Sequence, residues 1–208
     1  MLNELFQRYP TLKNCEESIV AAEKAIIDCY EKGGKLLLCG NGGSCADCDH
    51  ITGELMKGFL KMRPLSDERK TEMKKLSSDL SDDMLQKLQV GLPAISLVSM
   101  NALNSAFCND VDPSLIYAQG VLGLGKPGDI LIGISTSGNA KNVSAAAKVA
   151  KGLGMTVIGL TGVGGGVLGD LSDISIRVPE RETFKIQELH LPVYHYLCAA
   201  VEAHFFKN

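Results

Sequence analysis

Apolar residues recur along this chain in two rhythms, and the changes of rhythm divide it into elements. From residue 2 to 32 they come at steps of three and four: Leu12, Cys15, Ile19, Ala22, Ile26 and Cys29 mark one face of a helix, interrupted near Pro10 and stopped by Gly33-Gly34. Leu36, Leu37, Leu38 and Cys39 then run without a polar break, which predicts a parallel strand buried on both faces. Four similar runs follow, at Ala94 to Ser99, Ile130 to Ile134, Met155 to Leu160 and Ile174 to Val178, with helical stretches between them such as 115–122 and 139–153. A final helix spans about Phe184 to Phe206. This alternation predicts an α/β fold: a five-stranded parallel sheet with helices on both faces and an N-terminal helical extension.

One segment breaks the alternation. Pro64 ends a helix, and residues 63–91 then carry two short apolar stripes, Met73-Leu76-Leu80 and Met84-Leu85-Leu88, among mixed charges, with Ser81 as a cap for the second. They predict a helical insertion whose stripes are too small to form a core. A flap over a pocket mouth is the expected role, with a subunit contact or a solvated decoration as the alternatives.

At 208 residues, 45 % hydrophobic and 22 % charged, the composition is that of a single soluble globular domain. A net charge of -3 gives no reason to expect nucleic acid or an acidic membrane as partner. No apolar run reaches membrane-spanning length and the N-terminus lacks a signal-peptide core, so a cytoplasmic location is expected. Seven cysteines, an odd number, are expected to be reduced thiols. Cys45 and Cys48 form a lone C-x-x-C at a helix start, where incidental thiols are the simpler reading beside redox or metal use.

Chemistry concentrates after the first strand, which runs into Gly40-Asn41-Gly42-Gly43-Ser44. Glycines there permit positive φ and close backbone approach, Ser44 is a candidate cap, and a strand, tight turn and helix start make an anion site. His50 and Glu54 follow on that helix, four residues apart and so on one face, able to share a metal or a substrate proton. The Ile130 strand likewise runs into Ser135-Thr136-Ser137-Gly138-Asn139 at a helix start, a natural seat for a sugar phosphate. No P-loop lysine is present, which argues against nucleoside triphosphate hydrolysis. Residues 164–169 match G-x-G-x-x-G by letter but leave no room for the long helix of a dinucleotide site, so they read as a loop. On the last helix, Gln187 and His195 are eight residues apart, about 12 Å on an ideal helix. They reach one metal by leaning together, by a bend at Pro192, or from different subunits.

Together GNGGS with DHITGEL, the pair CND, ISTSGN and IQELHLPVYH resemble the sugar isomerase (SIS) domain proteins, and within them the phosphoheptose isomerases, over nearly the whole chain outside 63–91. The resemblance implies a homotetramer of flavodoxin-like subunits with sites near subunit contacts, acting as an aldose-ketose isomerase on sedoheptulose 7-phosphate. It implies one zinc ion per subunit on His50, Glu54, Gln187 and His195, with Glu54 and His195 also the acid/base pair. Asn41, Gly42, Gly43, Asn109 and Asp110 would contact the sugar, and Ser44, Ser135, Thr136 and Ser137 the phosphate. Ala140 replaces a common serine, Lys57 stands near a typical arginine without its fork, and the insertion has no counterpart in shorter members. The alternative is a non-catalytic relative that keeps the fold as a sugar-phosphate sensor or a partner of the replication initiator. Loss of the acid/base pair would mark it, and here His50, Glu54, Gln187 and His195 are all present.

Overall fold

The continuous apolar runs do form strands: β1 (Leu36–Gly40), β2 (Ala94–Ser96), β3 (Ile130–Ile134), β4 (Thr156–Gly162) and β5 (Ile174–Val178). The computed structural model describes residues 1–207, and in it these strands make one sheet in the order β2-β1-β3-β4-β5, with every neighbouring pair parallel. This is the flavodoxin-like order, and its direction reverses between β1 and β3. Gly40 pairs with Ile134, so the loops that follow those two strands leave the sheet side by side.

Alternate side chains of the strands enter two separate cores. Leu36, Leu38, Ile130 and Ile132 pack with α2 (Glu16–Glu31), α3 (Gly43–Met56) and α10 (Thr183–Phe205). Leu37, Cys39, Leu131 and Val157 pack with α7 (Ile116–Leu124) and α8 (Lys141–Gly152) on the other face. Ahead of α2 come α1 (Leu2–Arg8) and a 3₁₀ turn, Pro10–Cys15. Helix α6 (Asn101–Asp110) is absent from the apolar periodicity because it buries no residue.

The insertion is helical: α4 (Asp67–Leu76) and α5 (Asp82–Lys87), each capped by a serine side chain, Ser66 accepting from Arg69 N and Ser81 from Met84 N. A bridge between Pro64 and Gln89 and the Val90 N–H donated to Arg63 O at 2.7 Å close its base. Helix α4 buries nothing, Leu76 is 90 % exposed, and in α5 only Leu85 is buried. The remaining short helix is α9 (Gly166–Leu171).

Helices α3 and α10 run in the same direction and meet at both ends. At the start of α3, the Gln187 amide lies where a Cβ on Gly43 would stand. At its end, Arg63 is 1 % exposed and ties three segments together. Its Nε donates to Glu202 Oε1 at 2.8 Å, Nη1 to Leu55 O at 2.6 Å and Nη2 to Glu54 O at 3.1 Å. Glu202, equally buried, also accepts from the backbone N–H groups of Phe59, Leu60 and Lys61. Burial alone would raise its carboxyl pKa, yet these donors and the guanidinium hold it below the usual range. The last carbonyls of α3, which a helix leaves open, are thus met by a cation.

Breaking a buried pair leaves the other charge uncompensated. Arg63→Met is therefore expected to lower the unfolding free energy by roughly 3–5 kcal/mol, read by urea denaturation, and a loss under about 1 kcal/mol would contradict the latch. His190 gives a second expectation. It is fully buried on α10, neither ring nitrogen has a hydrogen-bond partner, and burial pushes its pKa down to about 4 against a smaller opposing effect of the Thr161 backbone. Its folded pKa lies below the unfolded value of about 6.5, so its contribution is fully present above about 6.5 and is lost as pH falls through about 4. His190→Gln should flatten the difference in urea midpoint between about pH 7 and pH 4.5; an unchanged difference would remove His190 as its source.

Candidate active site

At the carboxyl edge of the sheet the two loops meet as their register requires. Gly42 takes φ +58° and is the residue before α3. Ser44 lies inside the helix, buried, and makes no cap bond, so its expected capping role is corrected: the positive φ at Gly42 starts the helix earlier. Asn41 and Asn142 face each other as a reciprocal amide pair, Nδ2 to Oδ1 at 2.8 and 3.0 Å. Tyr117 Oη donates to Gly40 O at 2.7 Å and stands 3.2 Å from Asn41 Oδ1. Val143 N donates to Asn142 Oδ1. Both acceptor sites of the Asn142 amide oxygen are thereby used, and the reciprocal pair leaves Asn41 one N–H for a ligand. Asn142 and Tyr117 were not singled out from the sequence, though Asn142 lies just three residues past the STSGN run.

Across the switch point, Ser135 is buried and Ser137 is exposed, with its Oγ accepting from Asn139 N at 3.2 Å. Gly138 takes φ +69°, and a Cβ there would overlap Gly165 O. The glycine run 164–166 is therefore a packing surface for the serine loop, joined to it by Leu168 N donating to Gly138 O at 2.8 Å. It leads only into the six-residue α9, as expected of a loop rather than a dinucleotide site. Asn109 and Asp110 end α6, exposed and bonded to each other at 2.8 Å.

The acid/base candidates lie elsewhere. His50 Nε2 is 3.3 Å from Glu54 Oε1, and the His50 and His195 rings are 5.0 Å apart, edge to face. Phe59 lies over His195 at 5.6 Å. Burial lowers the His195 pKa, with His50 and Arg8 acting in the same sense and Glu54 against it, so this imidazole is neutral at neutral pH and able to accept a proton. Leu55 O accepts from Leu92 N, just ahead of β2, which places Glu54 at the amino edge of the sheet. Ten residues of helix, about 15 Å, separate it from Ser44. Helix α3 thus runs back along the sheet and carries Glu54 away from the loop in which it starts. Gln187 stays at the start of α3 against Gly43, apart from Glu54.

Glu54 Oε2 and His195 Nε2 are both buried without a hydrogen-bond partner. Among the described residues no three His, Cys, Asp or Glu side chains form a ready metal cage. The orphaned oxygen and nitrogen next to the His50–Glu54 pair are nevertheless the mixed donors that suit zinc, so the residues present fit that ion. Gln187 in its present position does not join them.

A cleft of about 450 Å³ opens beside His195, lined by Arg8 of α1, Phe59, Leu60, Leu191 and Pro192. No residue of the insertion or of the two loops lines it. Within the single chain, therefore, the insertion forms no flap over this cleft. Lys57 is exposed, 3.9 Å from Glu54 Oε2. All seven cysteines are free. Burial raises the pKa of Cys45, helped by Asp49, and raises that of the fully buried Cys48 further, which argues against an activated thiolate pair.

A family model for the SIS domain matches residues 7–89 and 84–162. A phosphoheptose isomerase from Roseiflexus sp. is 37 % identical over 198 residues, 95 % of this chain and 87 % of that protein. Another, from Methylibium petroleiphilum, is 39 % identical over 214 residues, covering 97 % and 94 %. Among solved structures, the phosphoheptose isomerase of Neisseria gonorrhoeae superposes with a TM-score of 0.75 at 31 % identity, covering 97 % of this chain and 94 % of that one. That of Francisella tularensis gives 0.74 at 32 %, covering 96 % and 93 %. With the flavodoxin-like sheet, the two loops at its switch point and the His50–Glu54–His195 group in view, the chain belongs to the phosphoheptose isomerase family of SIS-domain proteins.

Proposed function

We propose that this protein is an aldose-ketose isomerase that converts sedoheptulose 7-phosphate to D-glycero-D-manno-heptose 7-phosphate. The observation that carries the reading is the grouping of Glu54 with His50 and His195, with one carboxylate oxygen and one imidazole nitrogen unpartnered beside an open cleft. Isomerisation moves one proton from C1 to C2 of the sugar and one from the C1 oxygen to the C2 oxygen, with no net oxidation. One of Glu54 and His195 takes the carbon proton to give an enediol, and the other handles the oxygen proton, which matches a histidine held neutral by burial. Zinc on His50, Glu54 and His195 would polarise the sugar oxygens.

The phosphate belongs at Ser135, Thr136 and Ser137, between two helix starts. These loops and Glu54 lie at opposite edges of the sheet, which supports a homotetramer whose active site joins the loops of one copy to the acid/base pair of another. The exposed apolar rim of the cleft, Leu60 at 66 % and Leu191 at 39 %, fits burial by a second copy. Among the described residues no helix is long and apolar enough to cross a membrane, consistent with work in the cytoplasm on a water-soluble sugar phosphate.

Glu54→Gln and His195→Asn should each lower kcat by at least about a hundredfold while leaving the melting temperature close to that of the parent. Turnover within a few-fold of the parent would remove that residue from the mechanism. Metal analysis of gently purified protein should find about one zinc per subunit, and chelation should abolish turnover. Metal-free protein with full activity would sink the ligand assignment.

A further inference from the structure

His50 is held by two residues, Asp47 and Tyr194, to which the sequence motifs assign no role. Tyr194 is 2 % exposed, and its Oη lies 3.2 Å from Asp47 Oδ1 and 3.0 Å from His50 Nδ1. The rings of His50 and Tyr194 meet edge to face at 5.5 Å. A phenol has one proton to donate, and an ionised carboxylate can only accept. With the Tyr194 proton given to Asp47, the contact to His50 is a hydrogen bond only where Nδ1 carries the imidazole proton and donates it to Oη. Nε2 is then a bare lone pair, and Nε2 is the nitrogen 3.3 Å from Glu54 Oε1. Two acceptors thus face each other with no proton between them, and the unpartnered Glu54 Oε2 and His195 Nε2 stand close by. Such a group repels itself unless a cation completes it.

We propose that Asp47 and Tyr194 are positioning residues that fix His50 as its Nδ1–H tautomer, so that the Nε2 lone pair is presented to a divalent cation shared with Glu54 and His195. The ligand role rests on the zinc reading above, whereas the tautomer stands on the hydrogen-bond chain alone. Outer hydrogen-bond partners of this kind orient a ligating histidine and raise its basicity. The arrangement is local to α3 and α10: Asp47 lies one turn before His50, and Tyr194 directly precedes His195.

Two measurements on the full chain separate the parts. Long-range ¹H–¹⁵N correlation on histidine-labelled, metal-stripped protein should show His50 protonated at Nδ1 and bare at Nε2. This signature should be lost in Tyr194→Phe, which keeps the ring and its packing, and in Asp47→Ala. Zinc affinity, read by competition with a chromophoric chelator, should fall about 10–100-fold in each variant. The double variant should fall no further than the worse single one, because both act through one chain of bonds. His50 protonated at Nε2 in the parent would overturn the proposal. So would a Tyr194→Phe protein that binds zinc within about threefold of the parent when His50→Ala abolishes binding. A parent that takes up no zinc would overturn the metal reading and the ligand role of Nε2, and the spectrum would still decide the tautomer.

Discussion

The parallel contact of α3 and α10 is the constraint on which the rest depends. Every acid/base candidate lies on one of these two helices, so their relative register sets every distance in the group. The buried Arg63–Glu202 pair fixes that register at one end, and at the other the Gln187 amide lies against Gly43. The pair does more than neutralise two charges. By binding the carbonyls of Glu54 and Leu55 as well as the chain at 59–61, it fixes where α3 stops and how Phe59 turns onto His195. Several charge-assisted hydrogen bonds to fully buried partners make this an expensive arrangement to break and a rigid base for a catalytic group.

That rigidity also keeps the two groups of candidate residues apart. The switch point between β1 and β3 offers backbone donors, hydroxyls and a locked Asn41 amide, all at the carboxyl edge. Glu54 is held at the amino edge by the same helix that starts in the first loop. On the proposed reading, a substrate anchored by its phosphate on one copy meets a carboxylate from another, and assembly is then part of catalysis.

Much of this was legible in the sequence, for reasons that also mark its limits. The strands were visible because β1 and β3 are buried at every position and so carry unbroken apolar runs. His50 and Glu54 were visible because helical spacing puts them on one face. Arg63 and Glu202 were not, since 139 residues separate them and each reads as one more surface charge until the fold joins them. Asn142 escaped because its partner lies 101 residues away, and Tyr194 because a phenol in an apolar helix looks like core. Ser44 misled because serine favours helix caps, whereas a positive φ at Gly42 moved the start. The insertion had its helices and Ser81 cap written locally, but not the direction in which it projects.

Subunit complementation tests most directly whether this chain isomerises sedoheptulose 7-phosphate in a site shared between copies. One variant would carry Glu54→Gln, and a second Ser137→Glu, whose added charge repels the phosphate; each alone is expected to be inactive. Unfolded together and reassembled, they should regain a measurable fraction of parental conversion to the aldose, because some mixed sites join an intact loop to an intact acid/base pair. Mixed assemblies that form but remain inactive, beside a parent that turns over, would contradict the shared site, and a parent with no turnover would contradict the isomerase itself.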